Sequence, residues 1–599
     1  MMKNKTYIIG AILILIAILS FIPVIQNLKM IFLNDDFLQL ATRHYIIRDN
    51  IITHHELPLR THFFGGGFPS ISDPEDPVFS PSLWLTLVFG EIAGLKVLAF
   101  LLLLTGAVFG YALARKIYGY TVSAAFITTA VLTFSAWFPI RFVGGNVNEL
   151  YYFLTPAILY FFESWVQYGK NRYLIPAVLL IGITAADGEL VFPCIIIFVV
   201  VYSILRGIGM RDVGHYPRKA VILTVFVFLV AAVKILLVFE LFNAKGSVLH
   251  PTIDMHEKMY SAQTIHAMEI PSLINIFRWD EGEGEQTENL SYHIGLTPFL
   301  LLIFSVVRVF RKNIFWLCIT ALFLWISAAY TAPVDIFRIL WQLPWFNTIN
   351  APAKYFNYFI VFCLAYIIGN GINEVSALMS KHGRLYFAFI ALISILTFIP
   401  LLKITYDGYH SINYSDPPVR DVVPDEFCNA QLMHSRDNIY MYFNTLKNRG
   451  TLNWYGAIKL GEYAIPKMFI EYSDTDVDKQ LNPSYRGEAF FLNPEDGMIL
   501  NGNTATVTKI SANQITVTAE ARTPGLLVLN HNYHKYWKCS QYEITNTGGL
   551  IGINLTAPGN YRIQLGYKHR YLLWYLLISL AGLTGLLYYG LFFLIRKPH

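Results

Sequence analysis

Twelve stretches of this chain are apolar over a length that approaches or exceeds what is needed to cross a bilayer, and that fixes its class before any motif is considered. They lie near residues 7–26, 92–114, 120–139, 150–167, 173–186, 189–205, 219–241, 294–310, 313–330, 354–373, 384–404 and 571–595. A spanning helix needs about 20 largely apolar residues, so the fifth run is the short one. Charged residues make up 14% of the chain and hydrophobic ones 55%, too little charge to cover a soluble protein of 599 residues. No small-residue cleavage site follows the run Tyr7–Val24, so it reads as a retained helix rather than a signal peptide. The expectation is a polytopic α-helical membrane protein with about 12 transmembrane helices.

Charge placement orients it. With the N-terminus in the cytoplasm, the inner connections carry Arg115/Lys116, Lys170/Arg172, Arg206/Arg211/Arg218/Lys219, Arg308/Arg311/Lys312 and Lys381/Arg384, and the tail carries Arg596/Lys597. Asp212 and Glu374 are the clear acids among them. That bias predicts a multi-pass plasma-membrane protein with both termini cytoplasmic. It also accounts for the net charge of +5 without nucleic acid as a partner. The long outer connections are then 28–91, 242–293 and 405–570. The last of these contains "NQITVTAEA", "GLLVLN", "YEITN", "GLIGINLTA" and "NYRIQLGYK", which alternate as strands do between Gly, Pro and Asn turns. This predicts a transmembrane domain over 1–404, an extracytoplasmic β-rich domain over 405–570, and a final helix with a cytoplasmic tail over 571–599. Cys428 and Cys539 fall in the β-rich region, where an oxidising compartment would allow a disulfide.

The first outer connection carries the densest chemistry. "NDDFLQ" places Asp35, Asp36 and Gln39 where the first helix surfaces. Leu38, Tyr45, Ile46 and Ile52 recur near helical spacing, so 36–53 suits an amphipathic helix lying on the membrane surface. "GGG" at 65–67 and the prolines of "DPEDPVFSP" then turn the chain back over the bilayer. An aspartate pair at a loop edge is also an ordinary helix cap. Glu149, Asp187 and Glu189 lie in the next two outer connections and could orient sugar hydroxyls or simply be solvated helix ends.

The order Asp-x-x-Gln, "IIRDNII", "FFGGGFP" and "FSPSLWL" resembles the first loop of YfhO-type membrane proteins, relatives of the GT-C glycosyltransferases. "LPWFNTINAPAKYFNYF" (343–359) is similar to that family's Pro-aromatic segment, with Asn350 and Lys354 where arginines are usual. "LLVLNHNYHKYWKC" and "NLTAPGNYRIQLGYKH" resemble its C-terminal β-domain, including Tyr533, Trp537 and the turn Pro558–Gly559. The resemblance implies a GT-C-like fold and transfer of a sugar from a polyprenyl- or dolichyl-phosphate donor in the membrane lipid to an extracytoplasmic acceptor. An acidic residue of the first loop, Asp35 or Asp36, would be the base. The physical requirement is the same: a hydroxyl is a poor nucleophile and profits from a carboxylate within hydrogen-bond reach.

Lys354 and Arg141 are outer-face cations suited to a carrier phosphate. Lys234, inside the seventh run, is either functional or snorkels outward. His250, Asp254, His256 and the "HHE" at 54–56 have metal-ligand types without a recognised spacing, so a divalent cation is compatible with the sequence but no metal ligand set is named. Trp537, Tyr533 and Tyr536 suit a β-domain core as well as a sugar platform. The alternatives to a transferase are a transporter or flippase of envelope precursors, or a non-catalytic envelope scaffold.

Overall fold

The structure is a computed structural model. It describes all residues except 1, 189, 244–247, 250–266, 269, 279–290, 344, 347–348, 380–382, 417–425, 434–438, 455–457, 460, 473–476 and 593–599. Among the described residues seven helices are long and apolar enough to cross a membrane: Glu91–Ile117, Val122–Val143, Val191–Gly209, Phe310–Thr331, Pro352–Leu378, Arg384–His410 and Leu572–Leu591. The Pro352–Leu378 helix is 94% buried across its most apolar window, and the helices Phe310–Ala328 and Val122–Phe134 pack on it. Gly369 lets it close in, since a Cβ there would stand 2.1 Å from Thr128 Oγ1.

Helix length does not reproduce the expected twelve spans. The run at 150–167 opens as a 3₁₀ segment, Val147–Leu154, leaving 14 residues of α-helix in Thr155–Tyr168. Leu174–Asp187 has 14 residues, Leu296–Arg308 has 13, and Gly10–Ser20 is the apolar part of the first helix. The run at 219–241 is not one helix either. His215–Val230 and Ala232–Phe242 meet at 75° and would count as an eighth span only if taken together. The bend frees the Val233 amide, which donates to Ser579 Oγ of the final helix at 2.8 Å.

The β-rich region holds two kinds of structure. Its first part is a mixed sheet in the order Arg449–Thr451, Cys428–Leu432, Met468–Tyr472, Val477–Leu481, the first three strands parallel, with the helix Ile439–Leu446 between strands. The second part is a pair of four-stranded antiparallel sheets containing all five stretches read as strands. Register pairs Ile515 with Leu565, Val517 with Ile563 and Leu527 with Ile553, so one face of each sheet is aliphatic and buried. Trp537 and Tyr536 belong to that core. Cys428 and Cys539 lie in different sheets and are not joined by a disulfide.

The segment 28–91 ties these parts together. The helix Asp35–Thr53 forms, but every residue from Phe37 to Ile47 is buried. It therefore does not float on a membrane surface: Ile439–Leu446 and the helix Glu91–Ala112 pack on it. Beyond it the Gly65–Gly67 turn has φ of 58°, 78° and 120°, and its Gly66 carbonyl accepts from the Asn532 amide at 2.8 Å. Phe64 stacks on Trp454 at 4.8 Å. Near the end of Ala232–Phe242, Glu240 meets Lys535 at 3.0 Å and His569 at 3.2 Å.

A Cβ on Gly66 would lie 2.4 Å from the Ala464 Cβ at a left-handed φ. Gly66→Ala is expected to cost about 2 kcal/mol or more, while Gly10→Ala, with nothing within 4 Å, is expected to be neutral. Thermal unfolding of the detergent-solubilised variants, followed by tryptophan fluorescence, measures both.

Candidate active site

The site begins with a helix cap. Asn34 Oδ1 accepts from the amides of Asp36 (3.0 Å) and Phe37 (3.3 Å), which starts the helix and fixes its phase. Asn34 Nδ2 also donates to the Val143 carbonyl at 3.4 Å, so the cap is fastened to the turn that ends the helix Trp137–Val143. Gly145 in that turn has φ 77°, and a Cβ there would stand 2.1 Å from Asn34 Oδ1. The chain then supplies Asn146 and, from the 3₁₀ segment, Glu149. Lys354 comes from the first turn of Pro352–Leu378.

These elements bring together two carboxylates and two cations. Lys354 Nζ lies 2.8 Å from Glu149 Oε1 and donates to Asn146 Oδ1 at 2.7 Å. Arg141 Nε lies 3.4 Å from Glu149 Oε2, an ion contact without good hydrogen-bond geometry. Arg141 Nη2 reaches Ser291 Oγ (3.4 Å) and the Lys354 carbonyl (3.5 Å), and its guanidinium faces the Trp137 ring at 5.9 Å. Asp36 is half-buried at the edge of this group. Burial raises its pKa above the ordinary value, and the Glu149 charge adds to that; Lys354, a hydrogen bond with Asn146, and Arg141 act against it. Such a carboxylate is a stronger proton acceptor than one in water, held ionised by the cations beside it.

The other expected residues are placed differently. Gln39 donates to Glu75 Oε2 at 2.9 Å. Asp187 accepts from Tyr151 (2.6 Å) and Ser80 (2.9 Å), inside a second and deeper polar cluster. There Arg43 pairs with Asp73 and Glu75, and Lys234 donates to the backbone carbonyls of Asp73 (2.6 Å) and Asp76 (2.7 Å) instead of snorkelling. Burial pushes the Asp76 carboxyl up to about 6. Asp35 is half-buried in the same helical turn as Asp36. Glu189, His250, Asp254 and His256 lie outside the described residues. Glu56 is occupied as a domain contact, accepting from Ser511 at 3.0 Å. Asn34 and Asn146 were missed; an Asn before a carboxylate-rich helix start, and "GGN" in an outer turn, were the available signals.

A divalent cation fits these residues poorly. Both Glu149 oxygens already face cations, and among the described residues no group of three or more His, Cys, Asp or Glu is placed to hold a metal ion.

No protein-family model matches the sequence, and no curated protein matches it. Among solved structures, the archaeal oligosaccharyltransferase AglB from Archaeoglobus fulgidus, in complex with an inhibitory peptide and a dolichol-phosphate, is similar over 75% of this chain at TM-score 0.42 and 13% identity. The match covers 64% of that protein, less than two thirds of its length. The Archaeoglobus fulgidus oligosaccharyltransferase in complex with Zn and sulfate is similar over 82% of this chain and 72% of its own, at TM-score 0.42 and 10% identity. At that TM-score the likeness assigns no role to any residue.

Glu149→Ala strands Arg141 and Lys354 without their counter-charge and is expected to cost about 3 kcal/mol or more. Lys354→Met leaves Glu149 beside Arg141 and should cost less. The double variant should recover part of the loss, with a coupling on the order of 1–3 kcal/mol. Denaturant unfolding of the four proteins gives the coupling, and strict additivity would show that the pair does not frame the site.

Proposed function

We propose that this protein is an integral-membrane glycosyltransferase. It moves a sugar from a polyprenyl-phosphate-type donor to an extracytoplasmic acceptor, with Asp36 as general base. The observation that carries the reading is Asp36 itself: a half-buried carboxyl with a raised pKa, at the end of a membrane domain, facing a lysine and an arginine. A lipid-linked donor presents its phosphate at the bilayer surface, so base and cations belong at that level. On this reading both termini are cytoplasmic and the β-rich region is outside, which requires an even number of crossings, twelve if each apolar run contributes one.

The step is a displacement at the anomeric carbon. The acceptor hydroxyl gives its proton to Asp36 as its oxygen bonds to that carbon. The bond from the carbon to the phosphate oxygen breaks, and the electron pair leaves with the polyprenyl phosphate, inverting the centre. Lys354, with a fifth of its side chain exposed (19%), is the cation a phosphate can reach. Arg141, at 2%, is a positioning residue that holds Glu149 against Lys354. Gln39 and Asp187 are committed to protein partners and serve the loop rather than the substrate.

Asp36→Asn keeps shape but removes the proton acceptor, and turnover is expected to fall about 100- to 10,000-fold with donor binding largely intact. Asp35→Asn is expected to be mild. Because the base works ionised, rate falls as pH drops through its pKa, which lies above the ordinary 3.8. Glu149→Gln removes a charge that raises this pKa and should move the acid limb of residual kcat/KM to lower pH; Lys354→Met should move it higher. Transfer from a radiolabelled polyprenyl-phosphate sugar, assayed against pH, measures all four. Normal rates for Asp36→Asn would leave the pair a simple helix cap.

A further inference from the structure

Metal-dependent group transfer places a divalent cation among open oxygen ligands beside the departing phosphate. In this site the positions such an ion would need are held by an ammonium. Lys354 Nζ stands 2.8 Å from Glu149 Oε1 and 2.7 Å from Asn146 Oδ1. Those are one carboxylate and one neutral oxygen, the donor types a hard cation selects. Arg141 claims the other Glu149 oxygen at 3.4 Å. Of the charges acting on Asp36, that of Lys354 is the strongest. The ammonium thus pairs directly with Glu149 and acts through space on Asp36.

Charge counting points the same way. Asp36 and Glu149 contribute two negative charges, Lys354 and Arg141 two positive ones. The resting site is neutral, and a divalent ion added to it would leave two positive charges uncompensated in a largely desolvated place. Such an excess is costly.

We propose that Lys354 is the built-in cation of this site and takes the place of a divalent metal ion, so that transfer proceeds without one. The proposal rests on the transferase reading for its chemistry. As the bond from the anomeric carbon to the phosphate oxygen breaks and the electron pair moves onto the phosphate, the Lys354 ammonium donates to that oxygen and offsets the charge. Its proton stays on nitrogen. The acceptor proton goes to Asp36.

Three measurements test this on the intact detergent-solubilised protein. Wild-type enzyme dialysed against EDTA is expected to transfer at the untreated rate, and added Mg²⁺ or Mn²⁺ to leave it unchanged. Loss of activity on chelation, restored by a divalent ion, would overturn the proposal. Lys354→Cys is expected to lose on the order of 100-fold or more. Alkylation with 2-bromoethylamine, which rebuilds an ammonium at that place, should recover most of it, and iodoacetamide should not. Full activity in Lys354→Cys, or equal recovery with the neutral reagent, would also overturn it. The third readout needs no activity: electron paramagnetic resonance with Mn²⁺ alone is expected to show no binding that depends on Glu149. A stoichiometric Mn²⁺ signal that disappears in Glu149→Gln would show that the site takes a metal after all. If wild-type protein transfers sugar from no polyprenyl-phosphate donor, the transferase reading fails, and the Mn²⁺ titration still decides which cation the site holds.

Discussion

Arg43 is the charge on which the packing of residues 28–91 against the β-rich region is built. Its side chain is 2% exposed, it pairs with Asp73 and Glu75, and its guanidinium lies against the rings of Phe64 (5.8 Å) and Trp454 (5.6 Å). One contact set therefore joins the helix Asp35–Thr53, the turn at Asp73–Glu75 and the β-rich region. A buried ion pair is poor evidence of stability, because desolvating both partners offsets most of the attraction. Its consequence is specificity: once the ions are dry, other arrangements that leave one of them unpaired are strongly disfavoured. The polar loop is consequently folded inward and buried, and the helix that carries Asp36 has one permitted rotation.

Two polar clusters follow from that rotation, with different electrostatics. The deeper one holds Asp73, Glu75, Asp76 and Asp187 against Arg43 and Lys234, four carboxylates to two cations. Burial pushes the Asp76 carboxyl up to about 6, and the Asp73 charge adds to that. The other cluster is balanced, with Asp36 and Glu149 against Lys354 and Arg141, and its Asp36 and Lys354 are half-buried. A carboxylate-rich interior repels an incoming phosphate. A neutral site whose lysine is partly exposed can accept one by exchanging a partner. This difference, rather than the identity of any one residue, separates scaffold from candidate chemistry.

Much of this was legible in sequence, for physical reasons that also mark where legibility ends. Apolar runs report lipid exposure or deep burial, and each of the twelve proved helical. Alternation and turn residues found five of the eight strands in the two antiparallel sheets, and wet and dry faces alternate most clearly in Gln514–Ala521 and Gly559–Tyr567. The mixed sheet escaped notice: its strands have three to five residues, three of them pair in parallel, and Cys428–Leu432 is buried on both faces. The bend after Val230 carries neither Pro nor Gly, and the hydroxyl that caps it belongs to Ser579, far along the chain. The first-loop helix looked amphipathic and therefore superficial, yet its polar face is covered, by Arg43 pairs on one side and by Ile439–Leu446 on another. Counting loops placed Asp36, Glu149, Asp187 and Lys354 on one face of the membrane. It carried no partners, and partners are what part Asp187, held by Tyr151 and Ser80, from Glu149 and Lys354, which pair with each other.

The aspartate pair shows how tertiary contacts resolve what sequence leaves open. Both residues occupy the first turn of a helix, where the dipole favours negative charge in either. Neighbours differ by about 100° around the axis. Asp36, Gln39 and Arg43 stand at i, i+3 and i+7 and so share a face. That face meets Glu75, Asp73 and, at its end, Asn146 and Lys354. Turning the helix by one residue to present Asp35 would break the Gln39 hydrogen bond and both Arg43 pairs together, three buried polar contacts whose loss costs several kcal/mol. The clamp that buries the loop therefore also selects which carboxylate faces the cations.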